Sequence, residues 1–391
     1  VLVDNDEELV LLDLDAAEDL PARHRPRQRW LWLLLAAVLV GGLIVQANRH
    51  TPAAAPNAQR SRSAAPSGIT AAPETPSTAP VTVTRLAHPL LGQTGSWTLF
   101  GRGGRALVRI DLARSEITRT VIPALQSSGP VYFVPAAGEV IIRPLDFVAS
   151  YAVPDGRPVQ PLPASFGPGG PIFPGPDPGH VWVASADELD PTVVLTSLDG
   201  HPTGTVIRLQ DPGDSQVAVG DGAGYLLVTT SEGVYRAQPG QLRRLSNGPL
   251  LATGPTGWLV TECDRQGHCQ RVLIDRTSYR RRVLGPEIAN SHRPPWGAIS
   301  PDGGTAAIFD LGFDGLETIE LLDLHTGSLR PTGLHLQREY DDSTIRWSPD
   351  GSWLFAIDLE GGLDVLTLAT GQIRSLPVTL SPLTQLAVRP D

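Results

Sequence analysis

The sequence has no methionine and no lysine, so its 31 basic residues are all arginine. We read this as a bias toward GC-rich codons. Only two cysteines occur, Cys263 and Cys269, too few for a disulfide-framed small domain. A Gly-x-Ser-x-Gly elbow, a Walker A loop, a His-Glu-x-x-His pair, an EF-hand loop and the Asp-box of sialidase-like proteins are all missing. The usual signatures of hydrolase, NTPase, zinc peptidase and calcium site are thereby excluded, and neither a catalytic residue, a metal nor a cofactor is expected. A net charge of −10 argues against nucleic acid as partner. Beyond residue 82 no stretch keeps helical periodicity over three turns, which excludes a helical bundle. Charged residues are only 18% of the chain against 41% hydrophobic, too apolar for a disordered protein.

What is present divides the chain into four parts. Residues 1–20 carry eight acids and no base, and residues 21–29 add Arg23, Arg25, Arg27 and Arg29. WLWLLLAAVLVGGLIVQA (30–47) follows, uncharged throughout. As a helix it spans about 27 Å, against a hydrocarbon core of ~30 Å. Trp30 and Trp32 stand at its start, where interfacial indoles are favoured, and the arginines before it predict a cytoplasmic N-terminus. We read 1–29 as an acidic tail with a basic juxtamembrane segment and 30–47 as an uncleaved, single-pass signal anchor. The alternative is a cleaved signal peptide ending near Ala47. Either reading puts the bulk of the chain outside the cytoplasm. Residues 48–81, with six prolines among many Ala, Ser and Thr, read as a disordered stalk.

Residues 82–391 change texture. Short Val/Ile/Leu/Thr runs such as ALVRIDL (106–112) and GYLLVTT (224–230) alternate with Gly, Pro and Asp turns, which predicts an all-β domain. AISPDGGTAAIFD (298–310) and RWSPDGSWLFAID (346–358) repeat one unit, with Ser300-Pro301-Asp302-Gly303 equivalent to Ser348-Pro349-Asp350-Gly351. Proline presets φ, aspartate caps the turn, and glycine takes a positive φ. A second turn in each unit ends on Gly327 or Gly371. Glycines 95, 138, 179, 222, 257, 303 and 351 recur at intervals of 43, 41, 43, 35, 46 and 48 residues, the length of a four-stranded blade. Trp97, Trp182, Trp258 and Trp353 follow such glycines and are expected to pack in the core.

The end of the chain, LTQLAVRPD, reads as a first strand without a second, and GSWTLF (95–100) as a second strand without a first. Residues 383–389 are therefore expected to pair with 96–101 and complete one blade from both ends. The count is seven blades: 96–123 with 383–389, then 130–163, 179–210, 216–246, 250–286, 296–334 and 343–378. Six or eight remain open, because the second and third repeats are degenerate. Residues 164–180 are read as a long connection over the blade rim. The SPDG units over 296–378 resemble the repeats of TolB-type, WD-repeat-like bacterial β-propellers. The resemblance implies a seven-bladed β-propeller with a binding or scaffolding role, often at the cell envelope.

Cys263 and Cys269 (TECDRQGHCQ) are expected to form a disulfide across a hairpin; a metal site recruiting His268 would lack a fourth ligand. Candidate ligand-face loops are 287–296, 310–317 and 335–346. They offer His292, Arg293, Asp310, Asp314, Glu339, Tyr340, Asp341 and Asp342, an acidic, aromatic-bearing patch suited to a cation, a sugar or a basic peptide. A solvated loop set is the plainer reading. Arg280, Arg281 and Arg282 are expected on an exposed outer strand. The functional expectation is a non-catalytic, membrane-anchored, extracytoplasmic propeller that binds a protein, peptide or envelope glycan. One alternative is a propeller hydrolase or lyase on envelope carbohydrate, using carboxylates such as Asp310, Asp314 and Asp341. Another is a ligand sensor that signals through the acidic tail.

Overall fold

The computed structural model describes residues 81–86, 97–122, 131–144, 151–154, 160–162, 170–185, 192–209, 217–239, 241–287, 297–311, 317–336, 344–376 and 382–390. All belong to one compact unit, Ala72–Asp391. The acidic tail, the apolar span 30–47 and most of the expected stalk lie outside the described residues. Among the described residues no helix is long and apolar enough to cross a membrane.

The described strands form seven antiparallel meanders. Blade 1 contains β1 (Val81–Arg85), β2 (Trp97–Gly103), β3 (Ala106–Asp111) and β4 (Glu116–Val121). Blade 2 contains β5 (Val131–Ala136), β6 (Glu139–Pro144), β7 (Tyr151–Pro154) and β8 (Gln160–Pro161). Blade 3 contains β9 (Ile172–Pro174), β10 (His180–Ala184), β11 (Thr192–Ser197) and β12 (Pro202–Arg208). Blade 4 contains β13 (Val217–Gly220), β14 (Leu226–Thr230), β15 (Gly233–Gln238) and β16 (Gln241–Ser246). Blade 5 contains β17 (Leu250–Thr253), β18 (Gly257–Cys263), β19 (Cys269–Asp275) and β20 (Arg281–Glu287). Blade 6 contains β21 (Gly297–Ile299), β22 (Thr305–Leu311), β23 (Glu317–Asp323) and β24 (Leu329–Leu336). Blade 7 contains β25 (Ile345–Trp347), β26 (Trp353–Ile357), β27 (Leu363–Thr367) and β28 (Ile373–Ser375). The last strand, β29 (Gln385–Pro390), supplies the inner strand of blade 1 by pairing with β2, Trp97 opposite Pro390 through Arg102 opposite Gln385. β1 joins the outer edge of the same blade against β4, so blade 1 has five strands.

Two features differ from the sequence-based expectation. Residues 164–180 are not solely a connection: they hold β9, the inner strand of blade 3, whose Phe173 is buried against Trp182. β9 is only three residues long and is flanked by Pro and Gly, so it carries no alternation to read. The other feature is β1, whose five residues are all exposed and give no core pattern.

Second strands read as continuous apolar runs because a neighbouring blade covers each face. Every residue of β2 and of β26 is buried. Trp97, Trp182, Trp258 and Trp353 all lie on second strands and are buried. The apolar side chains gather into seven clusters, each lying between two successive blades. In the cluster between blades 7 and 1, Trp97 and Phe355 meet edge to face, with ring centroids 5.4 Å apart. Blades 5 and 6 are also joined by a short parallel pairing of β17 with β21. The clusters run 1–2, 2–3, 3–4, 4–5, 5–6, 6–7 and 7–1, so the ring closes on itself.

Candidate functional site

An antiparallel meander sends its loops alternately to opposite ends. One end carries the turns between first and second strands and those between third and fourth. There the two Pro-Asp-Gly turns share one construction. Ser300 Oγ donates to Asp302 Oδ1 (2.6 Å) and accepts from Thr305 N (2.9 Å), while Gly304 N donates to Asp302 Oδ1 (3.0 Å). Ser348 Oγ donates to Asp350 Oδ1 (2.6 Å) and accepts from Trp353 N (3.0 Å). Gly303 and Gly351 sit at φ 73° and 72°, where a side chain would be strained. The Ser300 hydroxyl, then the Gly304 amide, hold the Asp302 carboxyl below its usual range. These eight residues build turns; the hydroxyls and carboxylates are spent on local bonds.

The other end carries the hairpins between second and third strands and the connections between blades. Between blades 4 and 5 it holds an open cleft of about 540 Å³. Its floor and walls are Arg244, Leu245, Ser246, Asn247, Glu262, Cys263, Asp264, His268, Gln270 and Arg281. The β18–β19 hairpin forms one wall, with Cys263 and Cys269 opposite one another in register and joined as a disulfide. Asn247, in the connection from blade 4, clamps that hairpin: its Nδ2 donates to Cys263 O (2.8 Å) and its Oδ1 accepts from Cys263 N (3.3 Å). Ser246 Oγ donates to Thr261 O at 2.6 Å.

Both carboxylates in the cleft are paired, and Arg244 donates to the carbonyls of Ser246 and Glu232. Arg281 forms an ion pair with Glu262 and donates to Leu245 O at 2.7 Å. His268 is bonded to Asp264 through Nδ1 at 3.1 Å, and Asp264 also accepts from the backbone of Gln266 and His268. Desolvation pushes the Asp264 carboxyl upward, but the bonds from His268 and Gln266 outweigh it and leave it below the usual range. Among the described residues no three His, Cys, Asp or Glu side chains come together as a metal site would require. Buried charge continues round this end: Arg271 and Glu287 lie 3.8 Å apart with little exposure. Burial also lowers the pKa of Arg143, at the end of β6.

Of the eight candidate residues in the sequence-based ligand loops, one is described. Asp310 lies near the end of β22, half-buried, on the same end as the cleft, and its carbonyl accepts from Thr318 Oγ1. His292, Arg293, Asp314, Glu339, Tyr340, Asp341 and Asp342 lie outside the described residues. Sequence reasoning missed the cleft, apart from its disulfide. Asn247 and Glu262 belong to no repeat motif, and only the pairing of blades 4 and 5 brings them together. Arg281 and Arg282 stand exposed on the outer strand β20, with Arg281 turned inward to Leu245 and Glu262.

No family model and no curated protein matches the chain. Solved structures do. Oligogalacturonate lyase in complex with manganese aligns with a TM-score of 0.50 at 11% identity, over 76% of this chain and 91% of the lyase. The fold is that of a β-propeller. TolB from Acinetobacter baumannii aligns with a TM-score of 0.45 at 17% identity, over 76% of this chain and 67% of TolB. A 6-phosphogluconolactonase-like protein of Bacteroides fragilis gives 0.49 at 13% identity, over 76% and 99%. At 11% identity the likeness to the lyase shows the fold alone.

Proposed function

We propose that this chain is a non-catalytic binding protein, anchored by residues 30–47 with its propeller outside the cytoplasm, and that the cleft between blades 4 and 5 takes a peptide or protein segment. The observation that carries this reading is the cleft itself: a concave, polar site whose wall is braced by a disulfide and by Asn247. Its lining contains no aromatic ring to cover the apolar face of a sugar, which favours a peptide over the envelope glycan otherwise expected. Both carboxylates are held by basic partners, Glu262 by Arg281 and Asp264 by His268, an arrangement suited to recognition rather than to proton transfer. The Pro/Ala/Ser-rich stalk would hold the cleft away from the membrane.

The test is a parallel screen of the full-length protein in neutral detergent on peptide and glycan arrays. Peptide binding that is lost in Glu262→Arg and Asn247→Ala supports the reading. Glycan binding, or turnover of an envelope carbohydrate, contradicts it. A pull-down with the tail 1–20 that recovers a cytoplasmic regulator would favour the sensor alternative instead.

A further inference from the structure

The junction of blades 4 and 5 departs from the protein's own repeat at the end opposite the cleft. The turn between third and fourth strands has a common form: Gly327 N donates to Asp323 O (2.8 Å) in blade 6, and Gly371 N to Thr367 O (2.8 Å) in blade 7. In blade 5 the same bond runs from Tyr279 N to Asp275 O at 3.0 Å, so a tyrosine occupies the glycine position, at φ 57°. Four residues earlier in each turn is the aspartate or threonine, and next to it a buried leucine, Leu324 in blade 6 and Leu112 in blade 1. Blade 5 has Arg276 there. The buried serine of the other turn, Ser300 or Ser348, is replaced in blade 4 by the fully buried Asp221. Asp221 keeps the serine's bonds: its N donates to Tyr225 O and its Oδ1 accepts from Tyr225 N.

The three replacements meet. Arg276 Nε donates to Asp221 Oδ2 at 2.9 Å, and Trp258 Nε1 approaches the same oxygen at 3.4 Å. The Arg276 guanidinium stacks 3.8 Å from the Tyr225 ring centroid, and Arg236 stacks on the same ring at 3.6 Å. Arg236 also faces Tyr279 at 5.7 Å, over which Arg243 lies at 3.8 Å. Arg236 and Arg243 are directly opposed in register across β15 and β16, a pairing of like charges that costs stability. Asp221 balances Arg276. The ion pairs among the described residues include no carboxylate for Arg236 or Arg243. Burial lowers the Arg236 pKa; the Arg276 and Arg243 guanidiniums add to the effect, while Tyr225 and Asp221 oppose it. Arg236 Nε and Tyr279 Oη are buried and take no hydrogen bond within the protein.

Two adjoining repeats give up a buried leucine and a glycine in blade 5 and a serine in blade 4, and gain a tyrosine at positive φ and three arginines against one carboxylate, an excess of two positive charges. Such a conflict between local rule and fold is the mark of a site rather than of packing. We propose that Arg236 and Arg243, held by Tyr225 and Tyr279, form a binding site for a doubly charged oxyanion of the phosphate-monoester class. The excess of two positive charges matches a dianion, and planar guanidiniums suit phosphate oxygens. Asp221, Arg276 and Trp258 position the platform and do not touch the ligand. This site is separate from the cleft and does not depend on the peptide reading.

The experiment is calorimetric titration of the full-length protein in neutral detergent, at low ionic strength, with inorganic phosphate and with chloride as control. Saturable phosphate binding is expected, weakened by about tenfold or more in Arg243→Gln and in Arg236→Gln, as loss of a charged hydrogen-bonding partner implies. Arg282→Gln, an exposed arginine of β20 outside the cluster, should bind as the wild type does. A second arm uses phosphatidylcholine vesicles with and without phosphatidic acid. Arg243-dependent binding to the acidic vesicles assigns the phosphate to a lipid headgroup; binding of inorganic phosphate alone assigns it to a soluble ester. Phosphate heats no different from chloride would overturn the proposal, as would equal affinities for wild type and a folded Arg243→Gln protein or equal weakening by Arg282→Gln.

Discussion

Trp97 and Pro390 lie directly opposite one another on antiparallel strands, although nearly the whole domain separates them in sequence. The pairing makes blade 1 from both ends of the propeller and covers the inner edge of β2. Gly101 and Leu383 show how closely the ends fit: a Cβ on Gly101 would come 2.9 Å from Leu383 Cδ2. Leu386, on β29, is fully buried in the cluster with Trp97 and Phe355.

Cutting the chain after residue 381 should therefore unfold more than one blade. The 7–1 and 1–2 clusters both draw on the lost segment, through Leu383 and Leu386 in one and Ala387 in the other. The milder variant Leu386→Ala should cost about 2–4 kcal/mol. Urea titration followed by tryptophan fluorescence measures both, and an unchanged midpoint for Leu386→Ala would show that β29 is not packed there.

Ser348→Ala removes the acceptor of Trp353 N and the donor to Asp350, and Ser348 is itself fully buried. A buried amide left unmatched costs about 1–3 kcal/mol. Ser300→Ala should behave alike, since Thr305 N depends on it in the same way. By contrast, Ser352→Ala alters an exposed bond and should change stability little. Chemical denaturation of the three variants compares them.

Acid should destabilise the propeller through its turns. The Ser300 hydroxyl and Gly304 amide hold Asp302 low, the amides of Thr326 and His325 hold Asp323 low, and the Ser278 amide and hydroxyl hold Asp275 low. In the unfolded chain these carboxyls return to about 3.9. The unfolded state then binds more protons in acid, so their contribution is complete above about pH 4 and is lost as pH falls through the lower native values. Glu139, raised by burial, acts with the opposite sign. Asp302→Asn keeps an acceptor for Gly304 N but not the charge, so it should lose this contribution at neutral pH, lose little more in acid, and flatten the acid slope. Urea midpoints at pH 7 and pH 3 read the difference.

Removing the Cys263–Cys269 disulfide by a double serine substitution should cost about 2 kcal/mol, as a short closed loop implies. The larger effect should be local. Amide exchange over 264–268 should rise more than exchange elsewhere, because Asn247 would then hold the hairpin alone. Equal protection in both forms would show that the bridge does not brace the cleft.

Much of the architecture could be read from the chain because it is written in turn chemistry. The Pro-Asp-Gly pairs at 301–303 and 349–351 require one backbone shape, and glycines such as Gly138 and Gly222, at φ 68° and 72°, carry the same demand into blades whose other residues have drifted. The inner strand of blade 3 escaped notice because Ile172-Phe173-Pro174 is too short to show a period. β1 escaped because an outer strand packs nothing: Val81 and Val83 are half exposed. The cleft and the arginine cluster left a different kind of trace. Asn247 and Arg276 mean little alone. Their meaning lies in what they replace or clamp, and that emerges only when the blades are aligned by their hydrogen bonds.

Hydrogen–deuterium exchange over residues 385–390 tests the closed ring most directly. The account predicts that the amides of 385–389 that face β2 are protected like those of 97–103 and are released with them only on global unfolding. Exchange of 385–390 at the rate of an unstructured peptide, while 97–103 stay protected, would contradict it.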